Sequence, residues 1–356
     1  ATSLRSLNIA HNEIGAKGAA ALAAILKETK MTTLRLANSS ICGVTTDVMG
    51  RQQGTYTAEG ITKLCEALRG SAVTSLSFAN NQLCGVNWRG GGTYTVEGIT
   101  KLCEALRGSA VTSLRLGENC IGGTVLRRGF RPRPPFVSSG TAPRPPNPVA
   151  TTLSAGRRQA DEDDEFIATT EGIIALCKGL KGSAVTSLDL EDNNIRVVGA
   201  SALAAVLKET MISNLNLGRN GICGVTYGQS GQQYGTYTAE GITKLCEGLK
   251  GSAVTSLDIG SNNIGDEGAF ALAAVLKETQ ITTLNIAANY IGAKGAAALA
   301  AILKETQIQE LNVGNINVTG DAANHLATVV LDHAAMTDFC GIPLTSLREN
   351  SITELD

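Results

Sequence analysis

The sequence predicts an α/β solenoid: a horseshoe of stacked units with a concave parallel β-sheet and helices on the convex side. Three observations carry that prediction. The string Leu-x-Leu/Ile/Val-x-x-Asn-x-Ile recurs, clearest at Leu7-Asn8-Ile9 with Asn12 and Ile14, and again from Leu188, Leu257 and Leu284. Weaker copies start at Leu34, Leu76, Leu114, Leu215 and Leu311, so the gaps between starts are 27, 42, 38, 74, 27, 42, 27 and 27 residues. A base period of 27 belongs to repeat architectures, whose units stack because none can bury its apolar stripe alone. Finally, the residues after the string have helical periodicity.

The unit from Leu284 to Glu310 shows each element in order. Leu284 and Ile286 share one face of a short strand, since alternate strand residues point the same way. Ile291 turns inward again, and Asn289 between them sits where the chain leaves the strand. A buried Asn there can satisfy backbone groups of its own turn and of the neighbouring unit. Residues 295–304 then read as a helix, with Leu299, Ile302 and Leu303 on one face of an Ala-rich segment. Ile308 returns the chain to the strand at Leu311. The expected Asn ladder runs Asn12, Asn81, Asn119, Asn193, Asn220, Asn262 and Asn289, with breaks at Ser39 and Ile316.

These residues resemble the ribonuclease-inhibitor-like class of leucine-rich repeats, which includes Ran GTPase-activating proteins and the repeat domains of NOD-like receptors. The resemblance covers nearly the whole chain outside one insertion. It implies a protein-binding solenoid. It also implies two narrower roles, a GTPase-activating regulator of a Ran-like small GTPase and the sensor region of a NOD-like receptor. For the first, Val48-Met49-Gly50-Arg51 is the one loosely similar stretch, with Arg51 as the GTPase-regulating residue. The second lacks a Gly-x-x-x-x-Gly-Lys-Ser/Thr phosphate loop. Ribonuclease inhibitors present Trp and Tyr on the concave face, and here those positions carry none.

Composition sets further bounds. The repeat predicts one elongated domain over residues 1–356 rather than the two or three that length suggests. A net charge of −2 gives no general pull toward nucleic acid or an anionic membrane. The longest apolar run, residues 18–26, is too short to span a bilayer. Nine cysteines follow the repeat register, Cys65, Cys103, Cys177 and Cys246 in one helical position and Cys42, Cys84 and Cys223 after the strand. That placement suits small buried apolar residues in a reduced, cytoplasmic protein. The chain begins inside a repeat, and Ile352-Thr353-Glu354-Leu355 reads as the opening of another strand, so a longer array is expected.

The long repeats gain their extra residues at one place, between the post-strand Ile/Leu and the Gly that opens the helix. Residues 43–57, 85–95 and 224–238 therefore project from one rim. All three end Gly-Thr-Tyr-Thr, and Thr57, Thr95 and Thr238 are the expected helix N-caps. Tyr56, Tyr94, Tyr227, Tyr234 and Tyr237 lie there, with Trp88, the only tryptophan. Aromatics on scaffolded loops suit recognition; alternatively, each tyrosine folds back over its own loop. On the concave face, Asp189, Glu191, Asp192 and Asp258 form a candidate acidic patch near Arg219, against the alternative of a solvated surface. Residues 124–170 hold seven of the eight prolines and the acidic run 161–165. Disorder with polyproline character is expected for them, at a closure cost of about 2 kcal/mol. Pro132-x-x-Pro135 and Pro143-x-x-Pro146 could dock an SH3-type groove or belong to a plain spacer.

Three histidines, no nucleophile with a base, and no metal spacing point away from an enzyme. The expected role is a non-catalytic scaffold that binds a protein partner, with no cofactor or small-molecule substrate.

Overall fold

The computed structural model describes residues 4–127, 164–227, 233–316 and 318–349, with backbone alone at 124–127, 164–168 and 227. In chain order the elements begin β1 (Ser6–Asn8), α1 (Gly15–Leu26), β2 (Thr33–Arg35), β3 (Val44–Thr46), β4 (Gln52–Gly54), α2 (Glu59–Leu68) and β5 (Ser75–Ser77). They continue α3 (Glu97–Leu106), β6 (Ser113–Arg115), β7 (Gly123–Arg127), β8 (Asp164–Ala168), α4 (Glu171–Leu180), β9 (Ser187–Asp189) and α5 (Arg196–Leu207). Then come β10 (Asn214–Asn216), β11 (Thr226–Tyr227), β12 (Gln233–Tyr234), α6 (Glu240–Leu249), β13 (Ser256–Asp258) and α7 (Gly265–Val275). The last are β14 (Thr283–Asn285), α8 (Ala293–Leu303), β15 (Glu310–Asn312), α9 (Gly320–Leu331), β16 (Asp338–Phe339), β17 (Ile342–Pro343) and α10 (Leu344–Arg348).

One sheet runs the length of the protein in the order β1-β2-β5-β6-β9-β10-β13-β14-β15-β16-β17. Every pair from β1 to β16 is parallel, as strands joined by helical crossovers must be. The nine string leucines fall in one register row from Leu7 to Leu311. Behind that row, Leu/Ile side chains of sheet and helices form a single buried core, each fully buried side chain contributing about 1.5–3 kcal/mol.

The Asn ladder holds the turns. Asn193, fully buried, donates through Nδ2 to Leu116 O at 2.9 Å and Leu190 O at 3.1 Å. Its Oδ1 accepts the N–H groups of Asn119 and Ile121 in the preceding repeat, at 3.0 and 3.3 Å. Asn81, Asn119, Asn220, Asn262 and Asn289 repeat the pattern. At Ser39 the ladder was expected to break, yet it continues in reduced form. The Ser39 hydroxyl lies 3.1 Å from Ile9 O, taking the donor role, and its N–H goes to Asn81 Oδ1. Ile316 has no polar atom to offer and is simply buried. A second ladder was not anticipated: Thr74, Thr112, Thr186, Thr255 and Thr282 each donate to the carbonyl of the matching residue one repeat earlier.

At two places the structure adds strands that the sequence reading did not anticipate. The strand after Leu311 is Asp338–Phe339, paired Leu311↔Phe339; the proposed strand at 352–355 lies outside the described residues. Arg348 then covers the end of α9, its guanidinium donating to Leu331 O in the last turn, where a helix leaves carbonyls without intrahelical partners, and to His333 O and Met336 O in the turn that follows. The ends of the 124–170 insertion are also ordered: β7 and β8 pair antiparallel, Gly123 with Ala168 through Arg127 with Asp164. The disorder and SH3-type motifs expected between them fall outside the described residues.

Candidate functional site

The four long repeats share one device: the insertion rises from the strand-to-helix rim as a β-hairpin. β3 pairs with β4, Val86 bridges Gly92, β7 pairs with β8 and β11 pairs with β12, all antiparallel. The threonines expected as N-caps stand one residue too early: the cap positions are Ala58, Val96 and Ala239. In these three of the four, Thr57, Thr95 and Thr238 instead close the turn before the helix, accepting the N–H of Glu59, Glu97 and Glu240, each at 3.2 Å.

The tyrosines of Gly-Thr-Tyr-Thr neither fold over their own loops nor point away from the protein. Tyr56 Oη donates to Leu83 O in the next repeat at 3.1 Å and accepts the Gly98 N–H at 3.2 Å. Tyr94 repeats this with Ile121 O at 2.8 Å and Gly172 N–H at 3.1 Å. Tyr237 donates to Ile264 O at 2.7 Å. The glycines make the room: a β-carbon on Gly98 would sit 2.6 Å from Leu83 O and 3.0 Å from the Tyr56 hydroxyl. Burial pushes the phenol of Tyr237 up to about 12, and those of Tyr56 and Tyr94 rise for the same reason. All three hydroxyls stay protonated and serve as inter-repeat staples. Tyr234 is half-buried on β12, and the Tyr227 side chain lies outside the described residues.

The first two hairpins stand side by side. In each, an Asx residue opens the tip and a glycine closes it. Gly50 N–H bonds Asp47 O at 2.8 Å, and Gly90 N–H bonds Asn87 O at 3.0 Å, with φ of +75° and +80° at the glycines; such values suit only a residue without a β-carbon. Asp47 Oδ1 accepts the N–H groups of Met49 and Arg51, and Oδ2 accepts Arg51 Nε at 2.9 Å. Those bonds hold the Asp47 carboxyl below its usual range, led by the backbone N–H of Arg51. Asn87 Oδ1 holds the second tip in the same way, through Arg89 N and Gly91 N. Asn87 Nδ2 also reaches Gly50 O at 3.1 Å, and Arg89 Nη1 reaches Met49 O at 2.9 Å, so the tips are joined.

Three of the four corner residues of these joined turns are apolar and exposed. Val48 is 100% exposed, Met49 62% and Trp88 48%. The Arg89 guanidinium stacks on the Trp88 ring at 4.4 Å, and Arg51, next to Gly50 on the first tip, has its side chain 61% exposed. Of the residues singled out from sequence, Arg51 and Trp88 thus lie on the two joined tips. Val48, Met49 and Arg89 were missed as recognition residues, although Asp/Asn followed three residues later by Gly is a hairpin-turn signal.

On the concave face the expected acidic patch divides. Asp189 Oδ1 accepts Glu191 N–H and Asn216 Nδ2, each at 3.1 Å. Asp258 does the same for Gly260 N–H and Asn285 Nδ2. Both aspartates therefore brace turns. Glu191 and Asp192 instead neighbour Glu118, which the sequence reading passed over. Burial, then Asp192 and Glu191, push the Glu118 carboxyl up, while Arg219 pulls it down. Burial also raises Asp192, again opposed by Arg219, though both carboxylates still meet solvent. A shallow apolar pocket lined by Val313, Ile316, Val318, Leu326 and Phe339 lies near the opposite end of the sheet from the tips. It gathers no charged or catalytic group. Among the described residues no His/Cys/Asp/Glu group is arranged to hold a metal, and no helix is long and apolar enough to cross a membrane.

Comparison with known proteins agrees with this architecture. The family described as Leucine Rich repeat matches residues 1–23, 184–204, 253–273 and 279–300. All four windows fall on hairpin-free repeats, those whose strings recur after 27 residues. The leucine-rich repeat-containing protein LegL7 from Legionella pneumophila is 15% identical, with 99% of this chain and 98% of that one aligned at a TM-score of 0.50; that likeness speaks to the fold alone. An internalin from Listeria monocytogenes aligns over 95% of this chain and 86% of its own, at 12% identity and a TM-score of 0.33. The leiomodin-1 actin-binding site 2 aligns over 29% of this chain, at 25% identity and a TM-score of 0.28, and the match spans 62% of that structure. These last two are too distant to support any inference. No curated protein matches the sequence.

Proposed function

The chain is a leucine-rich repeat protein, and we propose that it is a non-catalytic scaffold that grips a protein partner with the joined hairpin tips of its rim. The observation that carries this is the placement of Val48, Met49 and Trp88 at turn corners. Such corners normally hold Gly, Asn, Asp, Ser or Pro, and none of these three side chains belongs to the buried core. An exposed apolar cluster with a polar border is what a partner-binding site requires. Its backbone is fixed by the Asp47 and Asn87 bonds, so little ordering cost remains at binding. The nine unpaired cysteines fit a reducing, cytoplasmic setting.

The test is capture by cross-linking from cell extract, with the wild type beside a Val48→Ser, Met49→Ser, Trp88→Ser variant. The variant keeps its far-ultraviolet circular dichroism and loses the captured protein. Identical capture by both proteins refutes the tips as the binding site. A second reading, regulation of a Ran-like GTPase, is favoured by the exposure of Arg51 on the rim. Single-turnover GTP hydrolysis by Ran decides it: Arg51→Ala abolishes any acceleration if that reading is right, and absence of acceleration by the wild type eliminates it.

A further inference from the structure

We infer that the joined tips take an acidic segment bearing a large apolar side chain, which rests on the tip-binding reading above and specifies its partner. Charge at the tips favours such a segment. Across residues 44–54 and 86–92 the charged side chains are Asp47, Arg51 and Arg89, one carboxylate against two guanidinium groups. That carboxylate faces inward in chemical terms. Asp47 already accepts the Met49 and Arg51 N–H groups and Arg51 Nε, with Gln53 Nε2 at 3.4 Å. It therefore offers a partner no ready acceptor, while Arg51, on the same tip as Val48 and Met49, presents a half-engaged guanidinium 61% exposed. Guanidinium groups recognise carboxylates with paired, charge-assisted hydrogen bonds and repel Lys and Arg.

The same tips carry the apolar surface. Met49 is flexible and polarizable and adapts to varied apolar shapes. Trp88 offers a rigid ring already stacked by Arg89, the kind of anchor that dominates interface energetics. Val48 projects fully into solvent beside them. Two turn corners make a small platform, suited to one large apolar side chain and the few residues around it. Carboxylates flanking that side chain would meet Arg51; basic flanks would meet only like charge.

Trp88 is the only tryptophan, so its emission reports on the tips alone. The probes are three decapeptides with the same central Phe-Leu pair, flanked by glutamate, by lysine or by serine. The glutamate peptide should shift Trp88 emission and bind at least about tenfold more tightly than the lysine peptide at low salt, a preference that fades in high salt. Arg51→Glu should remove the preference, and Arg51→Lys should retain part of it. Equal response to all three peptides, preference for lysine, or indifference to Arg51→Glu would overturn the acidic specificity. So would silence from every peptide. The tip-binding reading itself is then judged separately by the cross-linking variant: capture that still depends on Val48, Met49 and Trp88 leaves it standing.

Discussion

Replacing Tyr56 by Phe separates two jobs that tyrosines on a rim could have. The substitution keeps the ring and removes the oxygen that donates to Leu83 O at 3.1 Å and accepts Gly98 N–H at 3.2 Å. Each such bond contributes about 0.5–1.5 kcal/mol net, so the staple as a whole contributes about 1–3 kcal/mol. Urea unfolding followed by circular dichroism measures the total. Hydrogen exchange locates it, with faster exchange expected at the Gly98 amide. Trp88→Ser is the matched contrast. Its side chain packs against no core, so its stability should stay within about 0.5 kcal/mol of wild type, while partner capture is lost. If Tyr56→Phe leaves both stability and Gly98 protection unchanged but abolishes capture, the tyrosine is a recognition residue and the staple assignment is wrong.

Three further outcomes follow from the ladders, the thiols and the concave carboxylates. Asn193→Ala orphans the buried N–H groups of Asn119 and Ile121, at about 1–3 kcal/mol each, so a loss of about 2–6 kcal/mol in chemical unfolding is expected; a loss below 1 kcal/mol would contradict the ladder's role. Eight of the nine cysteines are buried and Cys340 is exposed, and burial pushes thiols such as Cys84 and Cys246 up to about 12. Native labelling with a thiol reagent should therefore modify one site quickly, Cys340 by mass spectrometry, and all nine after denaturation. The Asp192 carboxyl is raised above its ordinary 3.8 in the folded protein. Its contribution to stability is thus fully present below that value and is lost as pH rises through the folded value. Asp192→Asn should raise the unfolding midpoint at pH 7 and change little below pH 3.8; Asn also tolerates the left-handed φ of +53° at this position. A lower midpoint at pH 7 would mean that attraction to Arg219 outweighs burial.

The repeating scaffold was legible because its signals are periodic. Leu7 through Leu311 fix the strand row, and Asn12 through Asn289 mark the turns, each copy reinforcing the next. What escaped were features whose signal is a relation between repeats. Nothing local in Gly-Thr-Tyr-Thr says that Tyr56 will bond Leu83, 27 residues on. The partner glycine, Gly98, reads in sequence as a helix opener, although the space it leaves is what admits the hydroxyl. The hydroxyl ladder from Thr74 to Thr282 was hidden because Thr next to a strand is common and needs no special reason. Strand β16 was missed because Asp338-Phe339 lacks the leucine string and is recognised only by its register with Leu311. At the candidate site, aromatic content marks Trp88 but marks the tyrosines equally, whereas exposure at a turn corner is the better discriminator and needs the turn geometry.

The staple and the tip occur in the same insertions, and the physics of a projecting hairpin explains why. A hairpin of two or three residue pairs is marginal by itself, and one rising from a rim can rock about its base. Rocking would blur any binding surface and add an ordering cost at each encounter. Tyr56 fixes the base of the first hairpin to the repeat that carries the second, and Tyr94 fixes the second to the repeat after it. Higher up, Asn87 and Arg89 tie the second tip to Gly50 and Met49 of the first. On the concave face, by contrast, Asp189 and Asp258 are engaged in bracing turns. The hairpin-free units keep the sheet in register, and the long units use that rigid base to hold an apolar cluster out in water, where only a partner can cover it.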